Sequence, residues 1–330
     1  MDKGVFVLSL DLELAWGACF DARKIAHNRR YYQETRANVR ALLTLLEKYE
    51  ISATWFTVGH LFLSSCAPVD GVVHPEVIKP RYRWLDGDWL ARDPSSDVAA
   101  DPIWYGSDIV ASLQSCRVPQ EIACHTFSHI IVDDPACTPE CLDSELKACR
   151  ALAEKISVPL KSFSFPRNRE KYLATLAENG FLSYRGMDAP WYYRCPKTVQ
   201  KIAYFMDNLL FFVPPPVTVP VKNHCWNIRG SWFYGHSDGL AALLPVPCRV
   251  LKISSGLRRA AREKAVFHLW FHPFNMASNP RGLLAGLEDV FRRVRRLRDK
   301  GVIENLTMTA LVARLESGYR DNVAGTGERR

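Results

Sequence analysis

The stretch VFVLSLDLE, residues 5–13, combines the pattern of a buried strand with two carboxylates. Val5 to Leu10 is short, apolar and rich in β-branched and aromatic side chains, as is typical of a strand covered on both faces of a parallel sheet. Asp11 and Glu13 follow at its carboxyl end, two positions apart, so they point to the same side of the chain. The stretch therefore predicts an α/β fold with a polar site where this strand ends.

Strand-like and helix-like patterns alternate along much of the remaining chain, which predicts a parallel sheet with helices packed outside it. We expect further strands at 51–58, 121–124, 160–165, 181–184 and 265–271, and helices at 31–49, 139–155, 169–179, 280–300 and 307–317. Residues 62–118 are predicted to form a long loop-rich insertion, and residues 190–263 a second insertion. The prediction is one domain over residues 1–318, followed by a disordered tail at 319–330.

Composition and charge are those of a globular protein. Of the 330 residues, 48% are hydrophobic and 24% are charged, close to the average for folded domains. Much of the net charge of +8 lies in the predicted helix at 280–300, where apolar residues at helical spacing leave the arginines on the solvated face. No nucleic-acid-binding motif accompanies them, so we expect no nucleic-acid partner, while peripheral contact with an anionic membrane surface stays open.

Targeting and cysteine patterns favour a cytoplasmic protein. Asp11 and Glu13 interrupt the apolar N-terminus and no small-residue cleavage site follows, unlike in a signal peptide. The most apolar later stretch, residues 209–221, contains four prolines and is too short to span a bilayer as a helix. The ten cysteines lack the paired CxxC spacing of a structural zinc site, so we interpret them as reduced thiols.

The sequence HTFSH, residues 125–129, places two histidines four positions apart after a predicted strand. On a helical turn, His125 and His129 would project from one face and could share a metal ion at ~2.0–2.1 Å. Because side chains at the carboxyl ends of parallel strands converge, Asp11, Glu13 and His272 are expected beside them. One carboxylate could complete the metal site and the other act as a base. For HTFSH alone, an ordinary surface pair is the competing interpretation.

Four segments, SLDLE (9–13), HTFSH (125–129), SFSFPRN (162–168) and FHLWFHP (267–273), occur in the order and rough spacing of a known set of motifs. With them the chain resembles the polysaccharide deacetylase superfamily, the NodB-homology domain of carbohydrate esterase family four. It looks most like a divergent intracellular bacterial subgroup linked to surface-polysaccharide biosynthesis. The resemblance implies a distorted (β/α) barrel of the NodB-homology type and a metal-dependent hydrolase.

The resemblance also implies roles for individual residues. The general base would be Asp11, the metal ligands Glu13, His125 and His129, and the general acid His272. In the third family motif an arginine before the proline steadies the catalytic aspartate. Here Ser164 stands at that position, which leaves Arg167, after the proline, as the candidate. Trp16 and, within YRGMDAPW, Asp188 and Trp191 are candidates for substrate contact.

Together these features predict an enzyme that hydrolyses the amide bond of an N-acylated amino sugar and releases acetate or formate. The spaced carboxylates and the missing signal peptide pattern favour a small sugar linked to a nucleotide or lipid carrier over an extracellular polymer. Zinc is the expected metal, although manganese, cobalt or nickel accept the same ligands. Two alternatives stay open: a cyclic-amide or ureide hydrolase similar to allantoinase, and a catalytically silent sugar-binding module.

Overall fold

One sheet organises the part of the chain that the computed structural model describes, which is residues 1–186, 192, 195–209, 217 and 219–327. Within these ranges its ten strands are β1 (Gly4–Leu12), β2 (Thr54–Thr57), β3 (Glu121–Cys124), β4 (Ser162–Ser164), β5 (Ser183–Arg185), β6 (Val221–Lys222), β7 (Cys225–Asn227), β8 (Trp232–Phe233), β9 (Val266–Phe271) and β10 (Ile303–Asn305). Their order is β6-β7-β5-β4-β3-β2-β1-β9-β8, and β10 pairs with the start of β1. Neighbouring strands are parallel except β6 and β7, which confirms the predicted parallel sheet.

Helices occupy most of the intervals between the strands. In the described ranges they are α1 (Ala22–Tyr49), α2 (Ser107–Gln114), α3 (Pro139–Lys155), α4 (Leu173–Glu178), α5 (Lys197–Leu209), α6 (Val246–Glu263), α7 (Pro280–Asp299) and α8 (Met308–Gly327). Strand β3 and helix α3 have the predicted bounds. Helix α8 continues past residue 318, where the sequence predicted the start of a disordered tail. No helix in the described part of the chain is long and apolar enough to cross a membrane.

The two faces of the sheet pack into two separate cores, because alternate side chains of each strand point to opposite sides. Phe6, Leu8 and Leu10 of β1 pack outward into a large cluster that includes residues of α1 and α7. Val5 and Val7 point inward and pack with apolar residues of β2, β3, β9 and α8. The sheet therefore curls around an inner core, as in the distorted (β/α) barrel that was predicted.

The chain itself bridges the gap between the two sides of the curled sheet. After β7, Ile228 donates its backbone N–H to the carbonyl of Tyr184 in β5, and Ser231 donates its N–H to the carbonyl of His268 in β9. Residues 228–231 thus run from one side of the opening to the other. This bridging segment belongs to the predicted insertion at 190–263.

The other predicted insertion, residues 62–118, is loop-rich as expected and ends in α2. Between residues 63 and 106 the structure has turns and isolated bridges but no helix or extended strand. A connection of this length without its own secondary structure is uncommon in a compact domain and calls for another source of order.

Part of the positive charge of α7 is used inside the molecule. Arg298 donates to the carbonyls of Glu50 and Tyr49, and Arg295 donates to the carbonyl of Lys48. These are carbonyls at the C-terminal end of α1, where unpaired acceptors attract cations. The basic stripe of α7 therefore contributes to packing of α7 against α1.

Candidate active site

Strand β1 delivers the first carboxylate to the carboxyl end of the barrel. Ser9 and Asp11 continue the inward-facing positions of Val5 and Val7, and Asp11 is 2% exposed. Arg185 donates to both carboxylate oxygens of Asp11, at 2.6 Å and 2.5 Å. Burial raises the pKa of Asp11, but Arg185, His125 and His272 together lower it by more, so the net pKa lies below its usual value. Asp11 is therefore held ionised in a fixed orientation.

Arg185 is itself fixed from several sides. Its guanidinium lies 4.1 Å from the ring centroid of Trp270 on β9 and is almost fully buried. It also donates to Asn168 Oδ1 at 3.0 Å and to Ser9 Oγ at 3.2 Å. A bidentate, stacked guanidinium of this kind cannot be replaced by lysine without loss of geometry.

The prediction that Arg167 steadies the base is wrong. Arg167 follows the end of β4, has a left-handed backbone conformation with φ of 57°, and its exposed side chain lies over the ring of Phe20. Ser164, where the motif resemblance would place an arginine, is the register partner of Arg185 on the next strand. Arg185 therefore contacts Asp11 from β5, and the PRN sequence contributes Asn168.

Glu13 gathers three histidines just beyond the end of β1. Its Oε1 lies 3.1 Å from His125 Nε2, 3.3 Å from His129 Nε2 and 3.2 Å from His272 Nε2. Burial raises the pKa of Glu13, but the histidines lower it by more, so Glu13 is also a carboxylate. The sequence prediction that these side chains converge is confirmed by these distances.

The HTFSH segment reaches this site as a loop, whereas the sequence predicted a helical turn. Thr126 and His129 have positive φ values of 61° and 59°, which no helix allows. Backbone N–H groups of Gly59 and His60 donate to the carbonyls of Thr126 and Phe127 and hold the loop against the end of β2. The two histidine rings converge at a centroid distance of 5.1 Å because of these bends.

Helix α3 supports the same loop from below. Glu145 accepts hydrogen bonds from the backbone N–H of Ser128 at 2.7 Å and from its hydroxyl at 2.6 Å. Trp89, from the 62–118 insertion, donates its indole N–H to the carbonyl of Ser128. Burial raises the pKa of Glu145 to about 7. The loop between the two histidines is therefore pinned by buried polar contacts.

The donor set of Glu13, His125 and His129 fits a divalent metal ion. Their ligand atoms lie within 4.8 Å of one another, and all three residues are buried. His125 Nδ1 lies 2.7 Å from the carbonyl of Ser164, so it carries the ring proton and leaves Nε2 free as a ligand. Among the described residues, His129 Nδ1 has no hydrogen-bond partner, and Nε2 faces Glu13 Oε1 at 3.3 Å without hydrogen-bond geometry. A coordinated ion would bind this Nε2 beside the Glu13 carboxylate.

His272 is more open to solvent than the other members of the site. Its side chain is 19% exposed, and its ring packs against Phe233 and Phe274 at the mouth of the barrel. Burial lowers the pKa of His272, but the carboxylates of Glu13 and Asp11 raise it by more. The protonated ring of His272 can therefore reach a bound molecule and donate a proton to it.

His268 connects the site to the barrel interior, four residues before His272 on the same inward face. Its Nδ1 lies 3.1 Å from the carbonyl of Ile228 and its Nε2 lies 2.8 Å from Ser9 Oγ. Burial and the positive charge of Arg185 lower the pKa of His268 to about 3, so it is neutral. It donates to the carbonyl and accepts from Ser9, which supports the hydroxyl beside Arg185.

Two other predicted contacts have a different outcome. Trp16 is fully buried, packs against the His60 ring and donates its indole N–H to the carbonyl of Trp104. The prediction that it contacts substrate is therefore wrong, because the short 3₁₀ helix Leu14–Ala18 after Glu13 points this side chain into the 62–118 insertion. Asp188 and Trp191 lie outside the described residues, and their roles stay predictions.

Comparisons with known proteins agree with this fold. No family model matches the chain, and no curated protein is significantly similar in sequence. Among solved structures, a provisionally assigned polysaccharide deacetylase from Mycobacterium smegmatis has a TM-score of 0.63 at 14% identity, over 97% of this chain and 92% of that one. Another, from Pseudomonas aeruginosa PAO1, has a TM-score of 0.51 at 13% identity, over 89% and 86% of the two chains. The chain therefore has the fold of the polysaccharide deacetylase superfamily, as its four motifs predicted.

Proposed function

We propose that the protein is a metal-dependent hydrolase that removes an acetyl or formyl group from an N-acylated amino sugar. The observation that carries this proposal is the pairing of two differently held carboxylates. Asp11 is bound bidentately by Arg185, whereas Glu13 faces His125 and His129. One carboxylate is thus positioned as a base and the other as a ligand, which is the division of labour that amide hydrolysis at a metal requires.

The residues of the chain divide the reaction between them. A divalent ion held by Glu13, His125 and His129 would polarise the amide carbonyl and acidify water. Asp11 accepts the proton of the attacking water, and Arg185 keeps its carboxylate aligned for that transfer. His272, at the mouth, donates a proton to the departing amine. The products are a free amino sugar and a carboxylate.

Zinc is the ion we propose, since two imidazoles and one carboxylate are a common catalytic zinc set that leaves positions open for water and substrate. The same ligands accept manganese, cobalt or nickel. Metal analysis of the purified protein after growth in defined media identifies the ion that the site selects.

We propose a sugar linked to a nucleotide or polyprenyl carrier as the substrate, in a cytoplasmic step before export. The net charge of +8 supports a phosphate-bearing substrate. A peripheral enzyme would bind vesicles containing anionic lipid at low salt, whereas failure to float with such vesicles would contradict the membrane-associated version.

The reaction is tested by incubating the metal-loaded protein with nucleotide-linked and polyprenyl-linked N-acetyl and N-formyl amino sugars. We expect stoichiometric release of a primary amine and of acetate or formate from at least one class. Asp11→Asn should retain the metal and lose turnover, whereas His125→Ala should lose the metal. Normal metal binding by His125→Ala would overturn the ligand assignment.

The two alternatives give different results in the same experiment. A ureide hydrolase would open the ring of allantoin-type compounds and release no amine from acylated sugars. A silent sugar-binding module would need no ion and would turn over neither substrate. The buried convergence of Glu13, His125 and His129 favours an occupied metal site over a silent one.

A further inference from the structure

A second cluster of side chains that could bind a metal lies in the 62–118 insertion and just before it, outside the proposed catalytic group. It consists of His60, Cys66, His74 and Asp93, whose ligand atoms lie within 4.8 Å of one another. His60 and Asp93 are fully buried, and His74 is 8% exposed. From this cluster we infer a structural zinc site that holds the insertion together and is separate from the proposed catalytic ion.

Four of the six distances between the ligand atoms are close to those of a tetrahedral zinc site. His60 Nε2 and His74 Nε2 lie 3.0 Å and 3.1 Å from Asp93 Oδ2. Cys66 Sγ lies 3.6 Å from His60 Nε2 and 3.7 Å from Asp93 Oδ2. Zinc bonds of ~2.0–2.1 Å to nitrogen or oxygen and ~2.3 Å to sulfur, at tetrahedral angles, place ligand pairs about 3.3 Å and about 3.6 Å apart. The charges of a thiolate and a carboxylate would balance a divalent ion.

Each ligand also has its own supporting hydrogen bond, as metal ligands usually do. His60 Nδ1 faces the carbonyl of Trp104 at 3.2 Å, and His74 Nδ1 faces the carboxylate of Glu76 at 3.0 Å. The hydroxyl of Tyr105 accepts from a backbone N–H and lies 3.1 Å from Cys66 Sγ, so its proton can be donated to the sulfur. The backbone N–H of Ser95 donates to Asp93 Oδ1.

The hydrogen-bonding groups of the cluster favour a bound metal over hydrogen bonds among the side chains alone. Both nitrogens of His60 face acceptors, and so do both nitrogens of His74, whereas a neutral imidazole has a single N–H. Without an ion, both rings could donate to the Asp93 carboxylate only as two imidazolium cations whose centroids are 5.0 Å apart. With zinc, each Nδ1 keeps its proton for the supporting acceptor and each Nε2 binds the ion.

The position of the cluster explains what the ion would do. Its ligands span residues 60 to 93, in the part of the chain that lacks helices and extended strands between residues 63 and 106. Metal binding can replace a hydrophobic core as the source of order in such segments. The cluster also touches the loops of the candidate active site, since the ring centroids of Trp16 and His60 lie 4.4 Å apart and those of Phe127 and His74 lie 4.8 Å apart. The second ion would thus brace the segments that follow Glu13 and that separate His125 from His129.

The test measures the zinc X-ray absorption spectrum and the zinc content of the full-length protein. The protein is first loaded with zinc alone and then dialysed. We expect a sulfur neighbour at ~2.3 Å in the wild-type protein. The Cys66→Ser variant should lose that neighbour and one equivalent of zinc, whereas the matched Cys248→Ser variant should keep both. Absence of a sulfur neighbour in the wild-type protein, or an unchanged zinc content in Cys66→Ser, would overturn the inference.

A further variant separates this inference from the proposed function. His129→Ala removes a ligand of the catalytic group only, so the protein should retain one zinc with its sulfur neighbour. If Cys66→Ser does not fold, the wild-type and His129→Ala spectra decide the question. Loss of the zinc–sulfur signal in a folded His129→Ala variant would contradict a separate site.

Discussion

The side chain that fixes the proposed base, Asp11, is Arg185. Both Asp11 and Arg185 are buried, and the guanidinium binds both oxygens of the carboxylate. Removing one partner of such a pair leaves an uncompensated buried charge, which is far more costly than the pair itself. We therefore assign Arg185 a positioning role in the proposed reaction, one step away from the substrate.

Substitution of Arg185 should cost turnover without costing the metal. We expect Arg185→Ala to lower kcat by about 100-fold or more, the range of a general base that is lost or misaligned, with unchanged metal content. Arg185→Lys should recover only part of the activity, since lysine cannot bind bidentately. Arg167→Ala is the matched control and should stay within a few-fold of the wild-type kcat. Equal losses in Arg167→Ala and Arg185→Ala would contradict the assignment.

At the level of residues, the sequence identified the members of the site that lie directly at strand ends. Asp11, Glu13 and His272 follow recognisable strands, so their convergence could be predicted. Arg185 could not be assigned to Asp11, because that contact depends on the register between β4 and β5. The burial of Trp16 was equally hidden, since its partners come from the distant 62–118 insertion.

Gly17 shows how the short helix after β1 controls the position of Glu13. A Cβ atom at Gly17 would overlap the carboxylate of Glu13. We expect Gly17→Ala to push this carboxylate away from His125 and His129 and to weaken metal affinity by about 10-fold or more, as displaced supporting groups do. Isothermal titration with zinc measures the affinity, and circular dichroism checks the fold. Unchanged zinc affinity in Gly17→Ala would contradict the prediction that Gly17 controls the position of Glu13.

Helix α3 controls the other half of the site through Glu145. The pKa of Glu145 is raised from 4.5 to about 7, so the folded state holds its proton more tightly than the unfolded state does. The contribution of Glu145 to the free energy of unfolding is therefore fully present below about pH 4.5 and is lost as the pH rises through about 7.

This pH dependence predicts how the stability of the Glu145→Gln variant differs from that of the wild-type protein. Relative to the wild-type protein, the variant should gain up to about 3 kcal/mol of unfolding free energy between pH 5 and pH 8, because a shift of one pKa unit is worth ~1.4 kcal/mol. Urea unfolding at both pH values gives the difference. Glu154→Gln, at an exposed position of the same helix, should show no such change. A constant difference between Glu145→Gln and wild type would refute the prediction.

Elements with a strong local signal had predictable bounds. Thr138 caps α3 and Pro139 starts it, and both signals were present in the sequence. Helix α1 begins at Ala22, well before the predicted residue 31, because Asp21 accepts from the N–H of Lys24 and caps an earlier, less apolar turn. Strands β6, β7 and β8 have only two or three residues each, too few for any periodicity to show.

Helix α8 completes the molecule by closing the inner core. Its residues Met308, Leu311 and Val312 are buried against Val5 and Val7 inside the curled sheet. We expect Leu311→Ala to lower the free energy of unfolding by about 2–5 kcal/mol, the usual cost of emptying a buried leucine site. Glu316→Ala, exposed on the same helix, should change it by less than about 0.5 kcal/mol. Similar urea midpoints for the two variants would contradict this role.

For the molecule as a whole, alternation of strand and helix sufficed to predict the class of fold. The way the sheet closes was not predictable, because residues 228–231 lie in a segment without regular patterning and make long-range contacts. The His60, Cys66, His74 and Asp93 cluster was missed for a similar reason. Its ligands have no short, paired spacing and meet only in the folded insertion.

The central claim is that Glu13, His125 and His129 bind the ion while Asp11 stays free as the base. Anomalous diffraction at the zinc edge, from crystals of the zinc-loaded wild-type protein, tests it most directly. We predict a strong peak within bonding distance of these three side chains, with Asp11 still paired to Arg185. An absent peak at this position, or an ion bound by Asp11 in place of Glu13, would contradict the account.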